Sequence, residues 1–405
     1  KGQNKREATR QLAYLDIALP HLGSKNILEL IKSCYTLLKD KSIPFPEFSV
    51  TSNQPSLMNG GKDFCEWSKH DREIAATAGK LVSTFLGKYG KGLVNAALAE
   101  SFFEKGGDPY EIISLVSKAK LEAESGGKPE LCFAANAVLI RQHMISGSPD
   151  AAKSLLDSFE KTAKRENLNR ILPTIGAMRC RIALMEGDSA TVSDWLKTAP
   201  DEDEAFQTME RYRYLTKIRC YIAGDDFGRA FSLIESLRYY AEKCDRKFIS
   251  MELSILAAII KYRNGSEWKK EFIPALEKIC EYRFVPIISR EGAAIFPLLT
   301  ECRELCAADR NIDGKWFETV VEATGKVARR YPLYLKTDKA RPADISPIDV
   351  RILACLAEGL SMPKTAERLN INFETLRSRI KELYRRLGAK NKTEAVIIAR
   401  EMKII

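Results

Sequence analysis

Three histidines, His21, His70 and His143, are all that the chain offers, and none stands in a metal-ligand or nucleophile pattern. There is no Gly-x-Ser-x-Gly elbow and no Cys-x-x-Cys pair. The ten cysteines (Cys34, Cys65, Cys132, Cys180, Cys220, Cys244, Cys280, Cys302, Cys306 and Cys355) are scattered along the chain. They read as small buried hydrophobes in a reducing, cytoplasmic compartment rather than as a disulfide framework. Cys302 and Cys306 share a helical face, but two thiols without a nearby histidine make a poor metal site. Lys62, Lys128 and Lys326 follow glycines, yet none precedes Ser or Thr, so the Walker-type phosphate loop is missing. These absences leave no expected catalytic residue, metal or cofactor in this chain. No run approaches the roughly 18 apolar residues of a membrane span, and Lys1–Arg6 leads into no apolar signal segment. The chain starts at Lys1 rather than Met, as the C-terminal portion of a longer protein would.

What is present is an ordinary globular composition, 45% apolar and 29% charged over 405 residues, enough for roughly two to three domains. The net charge of +10 is unevenly placed. Residues 345–405 carry +5 and residues 326–344 carry +4, which leaves +1 for the first 325 residues. A basic end on a neutral body suggests an anionic polymer as partner, nucleic acid above all; a solvated basic tail is the bland alternative.

Glycines recur at Gly107, Gly147, Gly187, Gly224 and Gly265, at intervals of 40, 40, 37 and 41 residues, each followed by Asp or Ser. Glycine readily takes the left-handed conformation that ends a helix, and Asp or Ser can cap the next one. Pro109 and Pro149 suit a first helical turn. An apolar quartet follows each turn: Ile112/Leu115/Val116/Ala119, Ala152/Leu155/Leu156/Phe159, Val192/Trp195/Leu196/Ala199, Ala230/Leu233/Ile234/Leu237 and Phe272/Ala275/Leu276/Ile279. Each quartet is one buried stripe. Pro274, inside the last, should kink that helix or delay its start. Each period is thus a helix, a tight turn and a second helix, and such pairs stack into a degenerate tetratricopeptide-like α-solenoid.

Upstream, Ser24–Lys39 reads as a helix. Residues 41–62 form a Pro/Gly/Ser-rich loop, unusually long for a compact domain: either a lid over the solenoid's concave side or a plain insertion. Trp67, Trp195, Trp268 and Trp316 are candidates to line a ligand groove, although Trp195 falls within a quartet and reads as core.

After Arg341-Pro342 the repeat stops. Helix one runs from Pro347 to about Glu358 with Ser346 as cap, and Gly359 ends it. Ser361 caps a short helix two through Leu369. Asn372 caps helix three, Phe373–Leu387, whose inward stripe is Leu376/Ile380/Leu383/Leu387. Asn391 with Glu394 opens helix four, which runs to about Met402. The other face of helix three shows Thr375, Arg377, Ser378, Arg379, Lys381 and Arg385. A short helix, a tight turn and a basic second helix make the helix-turn-helix design, whose recognition helix enters the major groove.

Ala357-Glu-Gly-Leu-Ser361, Ala366-Glu-Arg-Leu369, Glu374-Thr-Leu-Arg377 and Tyr384-Arg-Arg-Leu-Gly-Ala-Lys-Asn-Lys-Thr-Glu-Ala-Val396 resemble the LuxR-type DNA-binding domain over about residues 345–400. That resemblance implies a four-helix bundle, helix three in the major groove, and helix four used for dimerisation. By position, Thr375, Arg377 and Lys381 would contact DNA; Ser378, Arg379, Arg385 and Lys392 complete the candidate set. Arg379 stands where many members have His. Ile348, Arg351 and Met362-Pro363 depart from the family pattern around helices one and two. Solenoid and terminal domain together resemble the end of MalT-like regulators, and the Asn59-Gly-Gly-Lys-Asp-Phe64 stretch looks like bacterial members of that group. That resemblance implies a nucleotide-binding ATPase ahead of Lys1.

The expected organisation is all-α: N-terminal helices and loop in 1–62, a helical-repeat sensor domain in 63–331, a basic linker in 332–344 and a LuxR-type domain in 345–405. The expected function is a bacterial DNA-binding transcriptional regulator, dimeric on a double-stranded operator. Its solenoid would sense a small-molecule or protein effector. The alternative is a helical-repeat scaffold whose C-terminal bundle binds protein.

Overall fold

The structure, a computed structural model, describes residues 2–18, 49–202, 206–335, 346–387, 389, 391–401 and 404–405. The helix expected at Ser24–Lys39 lies outside the described residues, as do 41–48 of the loop and 336–344 of the linker. Among the described residues the fold is all-α: no strand occurs, only an isolated bridge between Asn59 and Asp63.

After α1 (Gly2–Ala18), α2 (Cys65–Ser68) and α3 (Asp71–Leu86), helices follow in pairs. They are α4 (Leu93–Glu104) with α5 (Pro109–Glu124), α6 (Pro129–Ser146) with α7 (Pro149–Arg165), and α8 (Leu172–Glu186) with α9 (Ser189–Leu196). Then come α10 (Arg211–Ala223) with α11 (Phe227–Lys243), and α12 (Lys247–Arg263) with α13 (Lys269–Tyr282). The array continues through α14 (Pro286–Ser289), α15 (Gly292–Glu301), α16 (Arg303–Ala308) and α17 (Gly314–Arg330). Each helix packs chiefly on its sequence neighbours, as in a solenoid.

The turns follow the glycine pattern with two shifts. Gly147, Gly187 and Gly265 are left-handed, but in the first period that role falls to Gly106, and in the fourth to Asp225. Only one residue per helix end needs a positive φ, and Asp tolerates it better than most side chains. Asp108, Asp188 and Asp226 cap the following helices through their carboxylates, whereas the Ser148 hydroxyl makes no such bond. Helix α13 starts at Lys269 and runs through Pro274 unbroken.

All five quartets are buried or half-buried. Helices α6, α8, α10 and α12 bury side chains around their whole circumference, so they form the inner layer, flanked by the one-striped α5, α7, α11 and α13. The four tryptophans are buried as well; Trp195, Trp268 and Trp316 belong to the main core rather than to an open groove. The described cysteines are free thiols, all buried except the half-buried Cys132.

Residues 49–64 do not arch over the solenoid as a lid; they are built into it. Leu57, Met58 and Cys65 join the hydrophobic cores. The backbone N–H groups of Leu57 and Met58 donate to Glu100 on α4, and that of Val50 to Glu130 on α6. From α10 and the start of α12, the buried guanidiniums of Arg211 and Arg246 donate to the Gly60 carbonyl, and Arg246 also reaches that of Gly61, at 2.9 Å. Helices far apart in sequence thus converge on one segment, as only the inner side of a curved array allows. The other end of the array meets the same side. The Val285 N–H donates to the Glu104 carbonyl (2.7 Å), and the Tyr334 hydroxyl to Glu291 (2.6 Å). Glu291 in turn shares the buried Arg219 with Glu252.

Candidate nucleic-acid interface

The C-terminal helices are α18 (Pro347–Ala357), α19 (Met362–Leu369), α20 (Phe373–Leu387) and α21 (Lys392–Glu401). Their boundaries follow local chemistry. Ser346 and Asp349 form a reciprocal capping box at α18, a pairing that includes an aspartate the sequence reading did not assign. Ser361 has the backbone of a cap but its hydroxyl makes no cap bond; its carbonyl instead accepts from the Thr365 hydroxyl at 3.0 Å. Asn370 ends α19 in the left-handed region at φ 51°, a conformation asparagine adopts at little cost. Two residues on, Asn372 Oδ1 accepts from the Glu374 N–H at 2.9 Å and starts α20. Asn391 does the same for α21 through the Glu394 N–H, also at 2.9 Å.

Two apolar clusters hold the bundle. Leu376 and Ile380 pack with Ile352, Cys355, Leu356, Ala366 and Leu369, which locks α20 against α18 and α19. Leu383 and Leu387 pack with Leu353, Ala395, Ile398 and Ala399, which locks it against α21. All four members of the expected inward stripe are therefore buried, and the opposite face of α20 is turned out by the same periodicity.

On that face Thr375, Arg377, Ser378 and Lys381 are exposed, and neither Arg377 nor Lys381 makes a hydrogen bond or ion pair among the described residues. Their long cationic side chains are free to reach an anion. Two other candidates are engaged within the domain. Arg379 donates to Asp349 Oδ1 at 3.2 Å while 44% of its side chain stays exposed. Lys392 is half-buried and donates to the Leu360 carbonyl at 2.8 Å, which fastens the start of α21 to the turn after α18. The side chain of Arg385 lies outside those described.

A helix-turn-helix held by these two clusters, with Arg377 and Lys381 exposed on its outer helix, agrees with the comparisons. The family model for bacterial regulatory proteins of the luxR family matches residues 344–399, and that for a MalT-like TPR region matches residues 117–305. The chain carries a luxR-family DNA-binding domain behind a MalT-like TPR region. No curated protein matches it. The luxR-family domain makes this a DNA-binding chain of transcription regulation, and both matched modules are regulatory rather than catalytic. Among the described residues, no helix is long and apolar enough to cross a membrane.

Two further exposed residues of the luxR-family domain stand at the starts of α19 and α20. Lys364 is exposed in the first turn of α19. Phe373 is 43% exposed at the first position of α20. By spacing Phe373 continues the Leu376/Ile380 stripe and would be counted as core. Its place at the helix end, where the stripe runs past the core, turns it outward.

Proposed function

We propose that α20 of this transcription regulator lies in the major groove of double-stranded DNA, with Arg377 and Lys381 as its leading contacts and Thr375 and Ser378 beside them. The observation that carries this reading is the exposed pair Arg377 and Lys381 on the outer face of α20, neither of which makes a hydrogen bond or ion pair among the described residues. Arg reads guanine bidentately and both residues bind phosphate. Arg379 contributes its exposed part and chiefly orients the helix; Lys364 reaches backbone phosphates; Lys392 stands at the edge, and Arg385 is a further contact by its place in the sequence alone. Two copies pair through α21, where Ile397 is 51% exposed, on half-sites about 34–36 Å apart. The MalT-like TPR region senses an effector that governs this assembly.

Fluorescence anisotropy of the chain with a mixed-sequence duplex, titrated at several salt concentrations, tests the reading. Binding should weaken with a log–log slope of about −0.9 per phosphate contacted and be lost in Arg377→Ala/Lys381→Ala. Absence of binding even at low salt, with protein captured instead, would favour a helical-repeat scaffold whose C-terminal bundle binds protein.

A further inference from the structure

The inner side of the TPR region, where a repeat protein ordinarily receives a ligand, is filled by its own chain: residues 49–64 at one end and Tyr331, Tyr334 and Leu335 at the other, all three buried. A guest there would have to displace the chain's own residues. Between α5, α6 and α7 there is a cavity of about 460 Å³, within the range of small-molecule sites. At its wall is Asn136 of α6, only 4% exposed, whose Oδ1 has no hydrogen-bond partner. A buried amide left unpaired costs free energy comparable to a lost hydrogen bond, which a donor reaching Oδ1 from the cavity would recover.

The rest of the lining narrows the guest. Lys120 and Glu124, one helical turn apart on α5, border the cavity and make no ion pair among the described residues. Arg165 and Glu166 at the end of α7 also line it, already paired with each other at 3.4 Å. Leu155 and Phe159 supply an apolar wall. The charges balance, so a plain anion or cation is not favoured; a molecule carrying both signs is. Burial, with the carboxylates of Glu124 and Glu166 nearby, pushes the Cys132 thiol up to about 11, so the lining binds rather than reacts.

We infer that this cavity binds a small zwitterion, a free α-amino acid with a modest apolar side chain. Its carboxylate faces Lys120, and its ammonium group donates to Asn136 Oδ1 and faces Glu124. Because the walls come from two successive helical pairs, an occupant fixes the angle between them, and small per-repeat rotations set the curvature of the whole array. This rests on the sensing role proposed above and names its ligand class.

The test is calorimetric titration and thermal shift of the whole chain with each L-amino acid, its N-acetyl and C-amide derivatives, and a neutral disaccharide. At least one free amino acid should bind saturably and raise the melting temperature, and blocking either end should weaken it about tenfold or more. Asn136→Leu should abolish binding. Lys120→Met and Glu124→Gln, at unpaired rim positions that leave the fold intact, should each weaken it about tenfold, and they carry the test if Asn136→Leu does not fold. Binding of no free amino acid, equal binding of the blocked derivatives, or binding of the disaccharide alone would overturn the inference. DNA anisotropy on the same sample reads the regulator's other function separately, so failure here and failure of DNA binding are distinguishable.

Discussion

Arg379 donates to Asp349 across 3.2 Å, and Asp349 spends its other oxygen on the hydroxyl of Ser346 at 2.7 Å. One buried carboxylate therefore joins the outer helix α20 to the cap of α18. The pair adds a polar tie to the apolar stripe that already fixes the rotation of α20 about its axis.

Arg379→Ala and Arg377→Ala should separate these roles. Arg379→Ala removes a charge-assisted bond to a buried acceptor and should cost the C-terminal domain about 1 kcal/mol. Arg377→Ala removes an unpaired surface cation and should leave stability within about 0.5 kcal/mol while weakening DNA binding. Hydrogen exchange over residues 346–401 reads the first effect and anisotropy the second. Equal loss of protection in both variants would contradict this division.

Gly61 has its reason in the carbonyl of Val50: a Cβ placed there would sit 2.5 Å from that oxygen, and at Gly60 one would sit 2.7 Å from the Ser56 oxygen. Both contacts are to backbone and cannot be relieved by rotating a side chain. Gly61→Ala should destabilise the TPR region by about 1–3 kcal/mol, read by urea denaturation monitored through tryptophan fluorescence. An unchanged midpoint would mean that the segment is not locked in place.

Glu104 supplies a pH signature. Burial raises it from 4.5 to about 7, over the opposing pull of Arg290 and Arg141. The folded chain thus holds this proton where the unfolded chain has released it. Its contribution is fully present below the unfolded pKa and is lost as pH rises from 4.5 towards 7, since stability falls wherever the folded state binds more protons. Glu104→Gln should flatten that part of the stability profile. Parallel profiles for the variant and the parent across the window would rule the assignment out.

The motifs that were legible are the ones built from near neighbours. The stripe Leu376/Ile380/Leu383/Leu387, the asparagine caps at 372 and 391, and the glycine-punctuated quartets all act within one or two helical turns, so periodicity and capping chemistry reveal them. Even the slips are local: Gly106 for Gly107, Asp225 for Gly224, a silent Ser361 hydroxyl. Residues 41–62 resisted because their composition resembles that of any exposed loop. Glu100, Glu130, Arg211 and Arg246 bury the described part of it from positions remote in sequence.

By itself, then, the amino-acid order determined the helices, their pairing into a solenoid and the basic face of the terminal domain, because hydrogen bonds and apolar stripes of that range are set by spacing alone. Tertiary structure decided which cations of that face stay free and which are engaged, leaving Arg377 without a partner among the described residues and binding Arg379 to Asp349. It also decided that the inner side of the array is filled by its own chain and that a polar cavity remains between α5, α6 and α7. Those outcomes depend on how a curved stack brings distant side chains within hydrogen-bond reach, and a linear pattern holds no record of that curvature.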